Sequence, residues 1–205
     1  MGEINKEILI NIQNKYDKAR KLITEESIKD PPTEPYRSKY AAAEILQELR
    51  STLSSLIQDI PPENAAELKK FNTLLAAVWL VLGTISMDTE NLSASGEELQ
   101  NAIKLLEDTA LDPACIIVHI SSLNQLGILW SMLDQPQKSK VYLEQSEKLY
   151  LDFTSQEEVP NVCDIDDLFK NNNHGTPLPS KSMTVGPLEK SHTLTLYYLA
   201  QVSVK

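Results

Sequence analysis

The feature that most constrains the fold is an internal repeat whose two copies lie 123 − 79 = 44 residues apart. The first copy begins at Trp79 and reads Trp-x-x-Leu-Gly, and the second begins at Leu123 and reads Leu-x-x-Leu-Gly. Three later positions also align, namely Ser95, Leu99 and Ala102 with Ser139, Leu143 and Ser146. Apolar residues recur at three- and four-residue steps through both copies, which is the period of an α-helix. Because one repeat cannot bury its apolar face alone, the pattern predicts helix pairs that stack on one another.

The spacing within each copy is that of the tetratricopeptide repeat (TPR), a hairpin of two antiparallel helices. Gly83 and Gly127 take the position where the two helices cross closely, and a side chain there would push the helices apart. The step of 44 residues exceeds the usual repeat length of about 34, so both hairpins are extended. We expect these residues to pack within the hairpins: Leu82, Gly83, Leu99, Ala102, Leu126, Gly127, Trp130 and Leu143. The predicted fold class is all-α, with antiparallel helix pairs in a TPR-like right-handed α-solenoid.

Helix breakers divide the chain into three predicted parts. Residues 1–153 are expected to form TPR-like hairpins with about six helices, separated by proline-containing segments such as residues 30–35. Residues 154–187 contain four prolines and no sustained helical period, which predicts a flexible loop or insert. Residues 188–205 are predicted to form the first helix of a further, incomplete repeat.

This last helix carries a third copy of the pattern. Leu196, Leu199 and Ala200 have the same spacing as the earlier copies, with alanine in place of glycine. They are therefore expected to pack against a second helix, but the chain ends at Lys205 before one follows. An apolar stripe without a partner helix is unusual at a domain end, so we expect a solenoid that is truncated at its carboxyl terminus.

Charge limits the classes of partner. The formal net charge is −10, from 29 acidic and 19 basic residues. An acidic surface repels nucleic acid and anionic lipid and attracts basic partners, so neither nucleic acid nor a membrane is expected as a partner. The first residues are amphipathic and broken by charges, unlike a secretory signal, and the expected location is the cytoplasm.

Catalytic and metal-binding patterns are weak in this sequence. Cys115 and His119 lie four residues apart on one helix face, but the further ligands that zinc needs are scattered along the chain. The sequence has no phosphate-binding loop, nucleophile elbow or zinc-protease motif. We therefore expect no metal, no cofactor and no enzymatic activity, and the repeat predicts a binding protein.

Five segments in order along the chain resemble the kinesin-binding protein family, whose members are TPR-like proteins that bind kinesin motor domains. These segments are residues 34–40 (EPYRSKY), 88–93 (DTENLS), 124–131 (NQLGILWS), 142–147 (YLEQSE) and 196–202 (LYYLAQV). The family members are longer, so the resemblance implies the amino-terminal part of the family fold. It also implies a function: binding of motor domains that blocks their attachment to microtubules, with effects on axonal transport and microtubule organisation in neurons.

The resemblance further implies that Tyr198 and Gln201 contact the partner. At about 100° per residue, both lie roughly opposite the face that Leu196, Leu199 and Ala200 form. In a solenoid, that opposite side can line the concave groove, where ligands commonly bind. Tyr198 could instead pack on the preceding repeat.

Another TPR function remains open, that of an adaptor or co-chaperone that binds peptide motifs. A site for a peptide's terminal carboxylate needs converging basic side chains. The groove positions inferred on the fifth helix, Gln125 and Ile128, are not basic, which favours the kinesin hypothesis.

Overall fold

The structure is a computed structural model that describes residues 6–170 and 186–203. Within these residues the predicted all-α fold is confirmed, with seven α-helices and no strand. The helices are α1 (Lys6–Lys21), α2 (Arg37–Asp59), α3 (Ala65–Asp88), α4 (Leu92–Lys104), α5 (Ile116–Met132), α6 (Pro136–Thr154) and α7 (Pro187–Ser203). A π-helical turn, Leu22–Glu26, extends α1, and short 3-10 turns lie at Ser27–Lys29, Glu107–Thr109 and Ile165–Phe169.

Consecutive helices pack against each other, as expected for stacked hairpins. In addition, α3 packs on α5 and α5 packs on α7, so these three odd-numbered helices lie side by side. Helices α3 and α5 bury residues on most of their surface and form the centre of the fold. Helix α3 is long and apolar enough to cross a bilayer by composition, but 72% of its most apolar window is buried inside the protein. That burial is typical of a core helix in a soluble fold.

A carboxylate stabilises the connection between α1 and α2. Asp30 accepts hydrogen bonds from the backbone N–H of Ser38 at 2.8 Å and from its hydroxyl at 2.6 Å. These bonds satisfy a free donor in the first turn of α2 and hold the pKa of Asp30 below its usual range. The two prolines after Asp30 prevent the preceding helix from continuing.

The two central hairpins, α3–α4 and α5–α6, use the same turn. Glu90 and Asp134, which are 134 − 90 = 44 residues apart, both have left-handed backbone conformations, with φ of 65° and 54°. The next residue in each turn donates its backbone N–H to a carbonyl near the end of the first helix: Asn91 to Ser86 at 2.7 Å, and Gln135 to Trp130 at 2.9 Å. The sequence repeat is therefore also a repeat of backbone geometry.

One local detail of α4 differs from what its sequence suggests. Ser95 and Glu98 have the spacing of a helix-capping pair. In the structure, α4 begins at Leu92 and is capped by Asn91, whose side chain accepts from the backbone N–H of Ala94. Ser95 is not a cap because its hydroxyl is buried against α3.

Candidate partner-binding groove

The crossings of the two central hairpins are built alike. A Cβ atom on Gly83 would lie 2.7 Å from Cγ of Leu99, and one on Gly127 would lie 2.6 Å from Cγ of Leu143. Because neither glycine has a side chain, a serine of the facing helix reaches the glycine carbonyl. The buried hydroxyls of Ser95 and Ser139 donate to the carbonyls of Gly83 and Gly127 at 2.8 and 2.6 Å. Each crossing thus combines a leucine side chain packed on a glycine with one buried hydrogen bond.

The other residues that are predicted to pack within the hairpins are buried to different extents. Leu82, Leu99, Ala102, Leu126 and Leu143 are fully buried or nearly so. Trp130 is half-buried, and the ammonium group of Lys138 lies 4.2 Å from the centre of its ring. On α7, Leu196 and Ala200 are exposed and Leu199 is half-buried. The described residues therefore leave the third copy of the pattern with an open face.

Helix α7 is fixed by a buried polar network that the sequence analysis did not anticipate. The Asn124 side chain donates to the carbonyl of Ser191 at 2.9 Å and accepts from the hydroxyl of Thr195 at 2.8 Å. The hydroxyls of Thr195 and Ser146 lie 3.1 Å apart. Asn124, Ser146 and Thr195 are each at most 1% exposed. Because buried polar groups need partners, this network fixes both the depth and the rotation of α7.

The repeat relates positions on α3, α5 and α7 that share one face. Tyr198 is two residues after Leu196, as Gln125 is after Leu123. By the same alignment, the equivalent residues are Val81, Gln125 and Tyr198, and then Thr84, Ile128 and Gln201. We call these six residues the groove face. Val81, Thr84 and Gln125 line one cavity of about 200 Å3.

The predicted contact residues lie at the α7 end of the groove face. Tyr198 is half-buried and Gln201 is exposed. The rings of Tyr197 and Tyr198 meet edge to face, with centroids 5.2 Å apart. Tyr198 and Gln201 thus lie three residues apart on α7, which packs against α5. Their contact with a partner stays a prediction.

Residues 155–170, which we call the strap, cross from the end of α6 to α1. The ring of Phe169 stacks on Tyr16 at 3.6 Å, with 7° between the ring planes. Asp166 accepts from the Tyr16 hydroxyl at 2.8 Å and from the Arg20 guanidinium at 3.2 Å. Burial and the neighbouring Asp166 carboxylate raise the pKa of Tyr16, so its hydroxyl remains a donor.

The strap lies within residues 154–187, the segment that is predicted to be a flexible loop or insert. The division of the chain at residues 154 and 187 stays a prediction, and residues 171–185 lie outside the described residues. Within the described part, the strap has a 3-10 turn and a buried phenylalanine, Phe169, which is 4% exposed. This packing differs from the predicted flexible loop, and an apolar series indicates it: Val162, Ile165, Leu168 and Phe169.

A second groove lies between α4, α5 and α6 and contains His119. This side chain is 8% exposed, and its Nδ1 has no hydrogen-bond partner within the described part of the chain. Glu107, Lys148 and Asp152 line the same groove. Burial lowers the pKa of His119, so the folded chain keeps this imidazole neutral at pH values where the unfolded chain protonates it.

We expect His119 to make the protein less stable as the pH falls. Because the pKa of the folded state lies below the unfolded value of about 6.5, stability is lost as the pH decreases through that value toward the folded pKa. Urea denaturation at pH 7.5 and 5.5 should show a smaller pH effect in His119→Gln than in the wild type. An equal pH effect in both proteins would contradict this assignment.

Residues that could hold a metal do not converge in the described ranges, 6–170 and 186–203. No group of three or more His, Cys, Asp or Glu side chains there has the geometry to hold an ion. The Cys115 thiol is buried and lies 3.1 Å from the Thr73 hydroxyl. Cys163 is half-buried on the strap, and burial raises the pKa of its thiol.

The glycine crossings, the repeated turn and the shared face define a TPR-like helical repeat scaffold, a class of proteins that bind other proteins. Curated relatives match more than nine-tenths of the chain. KIF-binding protein of Gallus gallus is 38% identical over 188 residues, which are 92% of this chain and 30% of that protein. KIF-binding protein of Drosophila melanogaster is 32% identical over 204 residues (97% and 33%), and that of Homo sapiens is 31% identical over 212 residues (92% and 33%).

This chain belongs to the kinesin-binding protein family. It spans about a third of the length of the curated relatives that it matches. These relatives are named as binding proteins rather than enzymes. No protein-family model and no solved structure matches the chain.

Proposed function

We propose that this chain is an interaction scaffold that binds kinesin motor domains on its groove face and blocks their attachment to microtubules. Through that activity it would regulate microtubule-based and axonal transport, in the cytoplasm and in association with the cytoskeleton. The observation that carries the proposal is the alignment of Tyr198 and Gln201 with Gln125 and Ile128, which gives α5 and α7 one shared face. The names of the relatives supply the class of partner.

Charge supports the same class of partner. A motor surface that binds acidic microtubules is expected to be basic, and a protein of net charge −10 can compete for that surface. Attraction of this kind is screened by salt. Binding should therefore weaken as the ionic strength rises.

The alternative, a general TPR adaptor or co-chaperone, has less support. Capture of a terminal carboxylate requires free basic side chains on the groove. The groove face consists of two apolar residues, one threonine, two glutamines and one tyrosine: Val81, Ile128, Thr84, Gln125, Gln201 and Tyr198. Among the described residues, Arg20 is the one basic side chain that lines the cavity beside this face, and it is paired with Asp166 while residues 164–166 are in place. Titration with a peptide that has a free carboxylate distinguishes the two functions.

We expect Tyr198→Ala to raise the Kd for a kinesin motor domain by about thirtyfold, because an aromatic hot-spot contact contributes about 2 kcal/mol or more. Gln201→Ala should raise it less, since an exposed amide gains little net energy from one hydrogen bond. The Kd is measured by titration calorimetry with the isolated motor domain. Microtubule co-sedimentation then measures how much of the motor is displaced.

Tyr40→Ala is the matched control, because Tyr40 is a tyrosine that is 54% exposed on α2, outside the groove face. It should bind the motor domain as the wild type does. If Tyr198→Ala and Tyr40→Ala have the same effect, the groove face is not the binding surface. If the motor binds the chain and still pellets with microtubules, the proposed blocking of attachment is wrong.

A further inference from the structure

One end of the groove face is already covered by the chain itself. The cavity that Val81, Thr84 and Gln125 line is bounded on its other side by α1 and by strap residues 164–166. The 3-10 turn of the strap contacts both α1 and α3. The opposite end of the groove face, at Tyr198 and Gln201, is not among the surfaces that line this cavity. We call this side of the groove face, where α1 and the strap meet α3, its α1–α3 end.

The strap is attached to α1 by few groups. Phe169 and Asp166 form its contacts with Tyr16 and Arg20, about 150 residues away along the chain. Between the end of α6 and residue 164 the strap has no regular structure, and its 3-10 turn is one short element. Segments with few regular backbone hydrogen bonds open at a lower free energy than core helices. Phe169 and Asp166 therefore make the specific contacts with α1, while Val162, Ile165 and Leu168 pack against the core and are only partly buried.

We propose that the strap is a releasable cover that competes with the partner for the α1–α3 end of the groove face. This inference rests on the proposed function for the identity of the partner. Release leaves the Tyr16 hydroxyl and the Arg20 guanidinium without their carboxylate, and leaves one face of the Tyr16 ring bare. A partner segment that replaces the strap needs one acidic side chain close to an apolar or aromatic one, within a motor surface that is otherwise basic.

The cysteines of the natural chain allow the release to be measured. Cys163 is on the strap and is half-buried, whereas Cys115 is fully buried and serves as the unreactive reference. We expect Asp166→Asn and Phe169→Ala to speed alkylation of Cys163 by about tenfold, because both weaken the attachment to α1. The matched controls are Glu158→Gln and Val159→Ala, which make similar changes at exposed positions of the strap. They should label at the wild-type rate.

Motor-domain titration of the same proteins tests the competition. A binding face that is open for only a fraction of the time weakens the apparent affinity by that fraction, so both release variants should bind several-fold more tightly than the controls. Circular dichroism confirms that each variant retains its helices, and Asp166→Asn provides the result if Phe169→Ala does not fold.

Unchanged labelling in Asp166→Asn overturns the releasable cover, and faster labelling with unchanged or weaker motor binding overturns the competition. If the wild type and every variant fail to bind the motor, the proposed function is wrong and the competition with it. The labelling rates decide in that case whether the cover is releasable, because they require no partner.

Discussion

Replacing Leu143 with alanine is expected to lower the free energy of unfolding by about 2–5 kcal/mol, the usual range for a leucine deleted from a packed core. Leu143 is fully buried and packs directly on Gly127, where no side chain can move in to fill the space. Urea denaturation followed by circular dichroism gives the free energy. A loss below about 1 kcal/mol would show that the α5–α6 crossing is looser than its geometry indicates.

Gly127 and Leu143 also allow a test in which the effect of one substitution on the free energy of unfolding is expected to change sign. In the wild type, Gly127→Ala should lower the free energy of unfolding. Overpacking against Leu143 costs about 1–3 kcal/mol, which outweighs the gain of about 1 kcal/mol in helix propensity. In the Leu143→Ala background the clash is absent, and the same change should stabilise. Gly96→Ala is the control on α4, where the new Cβ would lie 3.5 Å from the nearest side chain, that of Leu129. If Gly127→Ala has the same effect in both backgrounds, the close approach is not the reason for glycine there.

Asn124→Ala is expected to loosen α7 from the rest of the fold at a cost of about 1–3 kcal/mol, because it removes the partner of buried polar groups. The Thr195 hydroxyl loses the acceptor that it has on α5, and the Ser191 carbonyl loses a donor. Amide hydrogen exchange should therefore become faster in α7 while α3 stays protected. Since Tyr198 and Gln201 are on α7, weaker binding of the motor domain should accompany the loosening.

Gln125→Ala is the control on the same helix. Gln125 is half-buried, and its substitution should change the free energy of unfolding by no more than about 0.5 kcal/mol. Equal exchange rates of α7 in Asn124→Ala and Gln125→Ala would mean that apolar contacts alone, such as that of Leu188, hold this helix.

Features that depend on nearby residues could be predicted from the sequence. The helix period and the spacing of Gly83 and Gly127 are set within single hairpins, so periodicity and residue size were enough to indicate the crossings. The spacing of Ser95 and Glu98 suggests a capping pair, and this interpretation is wrong although the pattern is also local. The Ser95 hydroxyl can bond to its own helix or to a carbonyl on the facing helix, and the glycine crossing makes the second bond possible.

Features that depend on distant residues could not be predicted. The strap meets α1 across a separation of 150 residues, and nothing in the sequence near Asp166 specifies Tyr16 as its partner. The network around Asn124 likewise joins residues 67 to 71 positions apart. For the candidate site, the family resemblance supplied Tyr198 and Gln201, and the repeat supplied their equivalents on α5. The cover at the other end required the structure.

The contact between Tyr16 and Asp166 also changes how the fold is expected to come apart. In an open array of helical repeats each unit touches only its neighbours, so the terminal units fray first and largely independently. Here α1 contacts the strap, which follows α6 in the chain. This contact joins the first helix of the array to a segment about 150 residues later. Fraying at the amino terminus therefore requires this contact to break as well. While the strap stays attached, we expect α1 through α6 to unfold more cooperatively than the linear order of the hairpins alone would allow.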